Sequence, residues 1–229
     1  MSSTGDNSTR DALERVERAL RPTGITMRGI AAFAEGDGPL LADGRHARSV
    51  LLLGNIGGSI WPAFSRWAHI HRGPDPLDRW SKAVIRPLAE DLCARAYFPS
   101  DPPWQPFQRW AMMAEGMKAS PLGLLIHPQF GLWHGYRGAL GFADVLEATA
   151  HVAGHPCDAC AEKPCLNACP ANAVSEAAFD VRACRDYLGE AGQGRCMEEG
   201  CEARNACPVG KAYRYPPAQL QFHMRQMTL

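Results

Sequence analysis

Eight of the nine cysteines fall between Cys157 and Cys207, and only Cys93 lies earlier in the chain. In order they read Cys157-x2-Cys160-x4-Cys165-x3-Cys169-Pro170, then Cys184, then Cys196-x4-Cys201-x5-Cys207-Pro208. The first ten residues, MSSTGDNSTR, are polar and carry neither an apolar signal core nor a twin-arginine pair, so a cytoplasmic location is expected. In a reducing compartment, thiols at this density are soft-metal ligands rather than halves of disulfides. All six tryptophans lie upstream of them, from Trp61 to Trp133. This shift in composition predicts a first domain over residues 1–150, a thiol-ligated domain over 151–210 and a tail over 211–229.

Composition removes several other classes. With 24 basic against 24 acidic residues, the chain has no net field with which to hold nucleic acid or an anionic membrane. At 46% hydrophobic and 21% charged residues it buries enough apolar surface to fold. The longest apolar runs, Val50-Leu51-Leu52-Leu53 and Leu122 to Ile126, fall far short of the roughly 20 residues needed to span a bilayer.

The cysteine order resembles that of bacterial-type ferredoxins. There, three closely spaced cysteines bind one [4Fe–4S] cluster and the fourth, in Cys-Pro, crosses to the other. Transferred here, one cluster takes Cys157, Cys160, Cys165 and Cys207, and the other takes Cys169, Cys184, Cys196 and Cys201. Iron–sulfur clusters need thiolate ligands, and short loops between them aim backbone N–H groups at sulfur. The gaps Cys160-x4-Cys165 and Cys196-x4-Cys201-x5-Cys207 exceed the usual ferredoxin spacing, by insertions that can loop outward without moving the sulfurs. A pair of all-cysteine zinc sites would use the same eight ligands, although only Cys157/Cys160 has the x2 spacing of a zinc knuckle. Cys93, beside Leu92 on a helix, reads as a small buried hydrophobe.

The first 150 residues alternate between strand-like and helical patterns. Ser8 to Asp11 can cap a helix bearing Leu13, Val16 and Leu20 and ending at Pro22. Ile25–Phe33 and Ser49–Leu53 read as strands, the second buried on both faces. Gly54-Asn55-Ile56-Gly57-Gly58-Ser59 then leads into a helix over Ile60–His71. Another helix starts at Asp75-Pro76 and faces a core with Trp80, Val84, Leu88 and Leu92. A third amphipathic stretch covers Trp104–Met117, with Met112, Met113 and Met117 as core filler. Leu122–Ile126 and Tyr136–Phe142 complete the strands. The pattern predicts an α/β or α+β sandwich.

The densest chemistry in this half is Ile126-His127-Pro128-Gln129-Phe130-Gly131-Leu132-Trp133-His134-Gly135-Tyr136-Arg137-Gly138. His127-Pro128-x-Phe130-Gly131-x-Trp133 with Arg137-Gly138 resembles a stretch of the CblC-type cobalamin-processing proteins, as does Asp75-Pro76-Leu77-Asp78 before a helix. The same passage, followed by eight cysteines with a lone Cys184 after Phe179-Asp180-Val181-Arg182-Ala183, is similar to the epoxyqueuosine reductases and reductive dehalogenases. The resemblance implies an α+β chain: a nitroreductase-like sandwich that binds cobalamin, then a two-[4Fe–4S] ferredoxin domain. It further implies that Asn55, Gly57, Gly58 and Ser59 contact the corrinoid and that His127, Trp133 and Arg137 line its pocket.

Three readings follow. In the first, the chain is an oxidoreductase that takes electrons from an external ferredoxin or flavodoxin through two clusters to a corrinoid, reducing cobalamin or removing its upper axial ligand. In the second, a corrinoid or FMN serves reduction of an organic substrate, as in the epoxyqueuosine group. The Asp-Tyr-His signature of that group is absent, the nearest stretch being Asp78-Arg79-Trp80. In the third, the chain is a non-catalytic electron-transfer or corrinoid-carrier protein. The residues alone also allow a bland account. His127 can be a satisfied core histidine, Trp133 and Phe130 can be packing, Arg137 can pair with Asp144 or a carbonyl, and the 54–59 loop can be a tight turn.

Overall fold

The computed structural model describes residues 3–148, 154–190 and 194–228. The chain divides into two compact units. The first takes the residues up to Gly116 and those from Gly135 to His151; the second takes Met117–His134 and the chain from Val152 onward. The boundary expected near residue 150 lies outside the described residues.

The first unit is mixed α+β. Helix α1 (Ser3–Leu20) leads into strands β1 (Thr26–Ala32) and β2 (Ser49–Ile56), which pair antiparallel. Helices α2 (Trp61–Ile70) and α3 (Pro76–Asp91) follow, then β3 (Arg95–Tyr97) and α4 (Phe107–Glu115). The last strand of the sheet, β6 (His134–Phe142), pairs antiparallel with β3, giving the order β1-β2-β6-β3. The interior strand β2 is buried from Ser49 to Asn55, which explains its unbroken apolar run. Gly29 sets how closely α4 lies on β1, since a Cβ there would come within 2.9 Å of the Ala114 Cβ.

The Arg28–Glu115 ion pair is buried in this unit. Arg28 on β1 donates to the Glu115 carboxylate at 2.8 Å, and the Tyr136 hydroxyl donates to its other oxygen at 2.6 Å. The Arg28 and Glu115 side chains are 2% and 7% exposed. Such a pair is tolerated in a core because further hydrogen bonds, including Arg28 to the Asn55 carbonyl, complete the solvation water would have given.

Several sequence expectations are corrected here. Helix α1 begins at Ser3, ahead of the expected cap at Ser8–Asp11. On α3 the buried face is Trp80, Ser81, Ile85, Leu88 and Ala89, while Val84 and Leu92 are only half-buried. Met112 and Met113 are 46% and 36% exposed, and only Met117 is in the core. Cys93 is exposed rather than buried, because it serves as the left-handed residue that ends α3, at φ 51°. Ala94 N–H donates to the Ala89 carbonyl and Cys93 N–H to that of Glu90, the bonding pattern of a Schellman stop.

The second unit opens with a two-strand hairpin, β4 (Lys118–Ala119) and β5 (Leu125–Ile126). Short helices follow: α5 (Pro164–Asn167), α6 (Val181–Glu190), α7 (Arg195–Glu199), α8 (Glu202–Ala206) and α9 (Pro217–Gln226). Leu122, Ile126 and Leu132 form one apolar cluster with Val174, Ala203 and Cys207. Trp133 packs with Tyr215 and Leu220 in a second. These contacts give residues 117–134 to the cysteine-rich unit. The 211–229 segment also packs within this unit, where Met224 on α9 joins Leu188 and Cys196. Among the described residues, no helix is long and apolar enough to cross a membrane.

Candidate metal centre

The loops of the second unit bring the cysteines into two groups. Cys157 and Cys160 lie in one turn, closed by the Cys160 N–H donating to the Cys157 carbonyl. Pro164 starts the short helix α5, which presents Cys165. Cys207 arrives from the end of α8, and all four thiols border one pocket. The rest of that pocket's lining is mainly proline and aliphatic side chains. Burial pushes the Cys157 thiol up to about 11, and the neighbouring Cys207, Cys165 and Cys160 add to the effect. Burial likewise raises Cys165 and Cys207, each with a further contribution from Cys160.

The other four form the second group. Cys184 on α6 is pushed up to about 11 by burial and then by Cys201, Cys169 and Cys196. Burial also raises Cys196 and Cys201, and Cys169 contributes to both. Cys184 and Cys201 pack against the Leu188, Cys196 and Met224 cluster. The Ala173 N–H points at the Cys169 sulfur, 3.4 Å away. Thiols held protonated by burial and by one another become ligands only by losing their protons to a metal that takes their place. Among the described residues, no three of His, Cys, Asp or Glu close on one point tightly enough for a single metal ion. The first four cysteines share the lining of one pocket.

The seven residues expected at a corrinoid pocket do not fall in one unit. Asn55, Gly57, Gly58, Ser59 and Arg137 belong to the first, His127 and Trp133 to the second. The 54–59 loop is stitched by its own side chains. Buried Asn55 donates from Nδ2 to the Gly57 carbonyl at 3.0 Å, and the Ser59 hydroxyl donates to the Gly24 carbonyl at 2.6 Å. Gly57 takes a left-handed φ of 54°, and the Gly58 carbonyl accepts the first N–H of α2, from Trp61. Arg137 is half-buried on β6.

In the second unit, His127 is 6% exposed and its Nδ1 accepts the N–H groups of Gln129 and Phe130 at 3.0 and 3.2 Å. The proton of the neutral ring therefore sits on Nε2, and the imidazole lies flat against Phe130, 4.1 Å between centres. Trp133, 1% exposed, meets the Tyr215 ring edge-on at 5.4 Å. The glycine in this motif has a backbone reason. Gly131, at φ +58°, lies so close to Val209 that a Cβ would sit 2.0 Å from its carbonyl oxygen. Gly210 faces the Phe130 carbonyl carbon at 2.3 Å by the same measure.

Two contributors escape a sequence reading. Arg204 lies over Trp133 and Tyr215, its guanidinium carbon 4.4 and 4.7 Å from the ring centres, and donates to the Leu132 carbonyl. Ser120 borders the first thiol pocket. No spacing or motif marks either.

The fold is a mixed α+β arrangement of the CblC kind. The crystal structure of a C. elegans B12-trafficking protein CblC, a human MMACHC homologue, superposes with a TM-score of 0.56 at 12% identity, over 97% of this chain and 93% of that one. At that identity the likeness is one of fold. No family model and no curated protein sequence matches the chain.

Proposed function

We infer that this chain is an iron–sulfur redox protein that carries electrons through two [4Fe–4S] clusters to a corrinoid, reducing cobalamin or removing its upper axial ligand. The observation that carries the reading is the pocket bordered by Cys157, Cys160, Cys165 and Cys207. Three of its thiols come from one stretch and the fourth from the Cys-Pro at the far end of the cysteine-rich segment, as a crossed ferredoxin ligand set requires.

The residues suit the group. Four soft donors line one pocket whose other walls are mostly apolar, the donor chemistry an iron–sulfur cluster takes. Cys169, Cys184, Cys196 and Cys201 would hold the second cluster, with the Ala173 N–H directed at the Cys169 sulfur. When bound, such clusters supply single electrons at low potential. The protein's part is to exclude water, fix the sulfurs and set that potential. The CblC-like fold supports a corrinoid as the acceptor, and the 54–59 loop and Arg137 are the parts of the first unit assigned to it. An external ferredoxin or flavodoxin in the cytoplasm is the donor in this reading.

The test is anaerobic purification followed by iron, sulfide and zinc analysis, then addition of cobalamin. Iron and sulfide in equal amounts, a base-off shift of the cobalamin spectrum, and faster cobalamin reduction than by the reductant alone are expected. Zinc without sulfide overturns the cluster reading; clusters with no spectral change on cobalamin overturn the acceptor.

A further inference from the structure

Ser120 follows β4 and lies at the wall of the first thiol pocket. It is 7% exposed, and its hydroxyl oxygen is buried with no hydrogen-bond partner in the protein. The backbone does not need that hydroxyl. Ser120 N–H donates to the Leu124 carbonyl at 2.8 Å, and the Ser120 carbonyl accepts the Gly123 N–H at 2.9 Å. The hairpin turn is thus complete with any small residue at this position.

A buried hydroxyl left unpaired is costly, so a serine here calls for an acceptor. The pocket offers few. Pro121, Leu122, Ile126, Leu132 and Val209 have no polar side-chain atom, and the Lys163 amine is a donor already engaged with Glu176 at 2.6 Å. Sulfur is the one acceptor chemistry that the lining side chains present.

We propose that the Ser120 hydroxyl donates a hydrogen bond to a sulfur of the cluster held by Cys157, Cys160, Cys165 and Cys207, and so raises that cluster's potential. Reduction adds a negative charge to a cluster, and a donor aimed at sulfur stabilises the more negative state. The hydroxyl therefore favours electron arrival at the first cluster. The inference rests on the iron–sulfur reading above.

The experiment is an anaerobic redox titration of the whole protein, followed by electron paramagnetic resonance, for wild type, Ser120→Ala, Ser120→Gly and Ser120→Thr. The two hydroxyl-free variants are expected to lower the midpoint of one cluster only, with its reduction equilibrium shifted up to about tenfold, or about 59 mV for a one-electron couple. S120T is expected to keep the wild-type value. Loss of one cluster from both hydroxyl-free variants, with both kept by S120T, supports the same contact. Unchanged midpoints in S120A, or equal shifts of both clusters, overturn the inference while leaving the cluster reading intact. Wild-type protein without iron and sulfide overturns the cluster reading itself.

Discussion

Arg204 on α8 lies over the Trp133 ring, 4.4 Å from its centre, and reaches back to donate to the carbonyl of Leu132, the residue before that tryptophan. One side chain thereby ties the helix between Cys201 and Cys207 to the His127–Trp133 passage. A lysine could keep the charge but neither the planar guanidinium over the rings nor its forked donor. Arg204→Lys is expected to lose about 1–2 kcal/mol of stability, read as a lower urea midpoint at unchanged slope.

Gly131 and Gly210 allow two backbone segments to touch where any side chain would collide. Gly131→Ala forces a Cβ into the Val209 carbonyl and a non-glycine residue into a left-handed turn. The variant is expected to be destabilised by more than about 2 kcal/mol, measured by thermal melting, and to retain less iron when purified. A Gly123→Ala control, also at positive φ but with nothing near its Cβ, is expected to cost about 1 kcal/mol.

The crossed ligation proposed above makes a pattern prediction for paired substitutions. Cys160→Ala and Cys207→Ala should each remove about half of the iron, and the double variant should remove no more, because both act on one cluster. Cys160→Ala with Cys169→Ala should remove nearly all of it, although Cys169 is much nearer to Cys160 in sequence. Iron and acid-labile sulfide per chain decide between these outcomes.

Alkaline pH should weaken the first unit through its tyrosines. Burial pushes the Tyr97 hydroxyl up to about 12 from an ordinary value of 10.0, against a smaller opposing pull from Arg95. A raised folded value means that this contribution is fully present below pH 10 and is lost as pH climbs towards 12. The loss from Tyr97 is about 2–3 kcal/mol, and Tyr136, raised further by burial and by Glu115, adds loss of the same sign. Denaturation followed from pH 9 upwards should steepen past pH 10, and Tyr97→Phe should shallow that slope.

Local pattern carried much of the fold. The apolar run of β2 and Pro76 at the head of α3 are visible in the residues themselves, since burial on two faces and a fixed φ leave direct traces in sequence. Partnership across distance was not legible. Arg28, Glu115 and Tyr136 read as three unrelated polar residues until the sheet brings them together. His127-Pro128-x-Phe130-Gly131 marks a tight place, yet nothing in it says that the chain pressing on Gly131 is Val209. Cys93 misled because helical periodicity runs on past the residue where the backbone turns left-handed.

Cys165 and Cys207 border one pocket, while α6, α7 and α8 lie in the chain between them. Any group bonded to both turns that stretch into a closed ring, much as a rivet joins two distant points on one strap. An opened chain that keeps the rivet has fewer shapes to explore, so the folded form gains from its presence whatever electrons pass through it. On the iron–sulfur reading, iron starvation would cost the protein not only its electron carriers but also its survival against proteases.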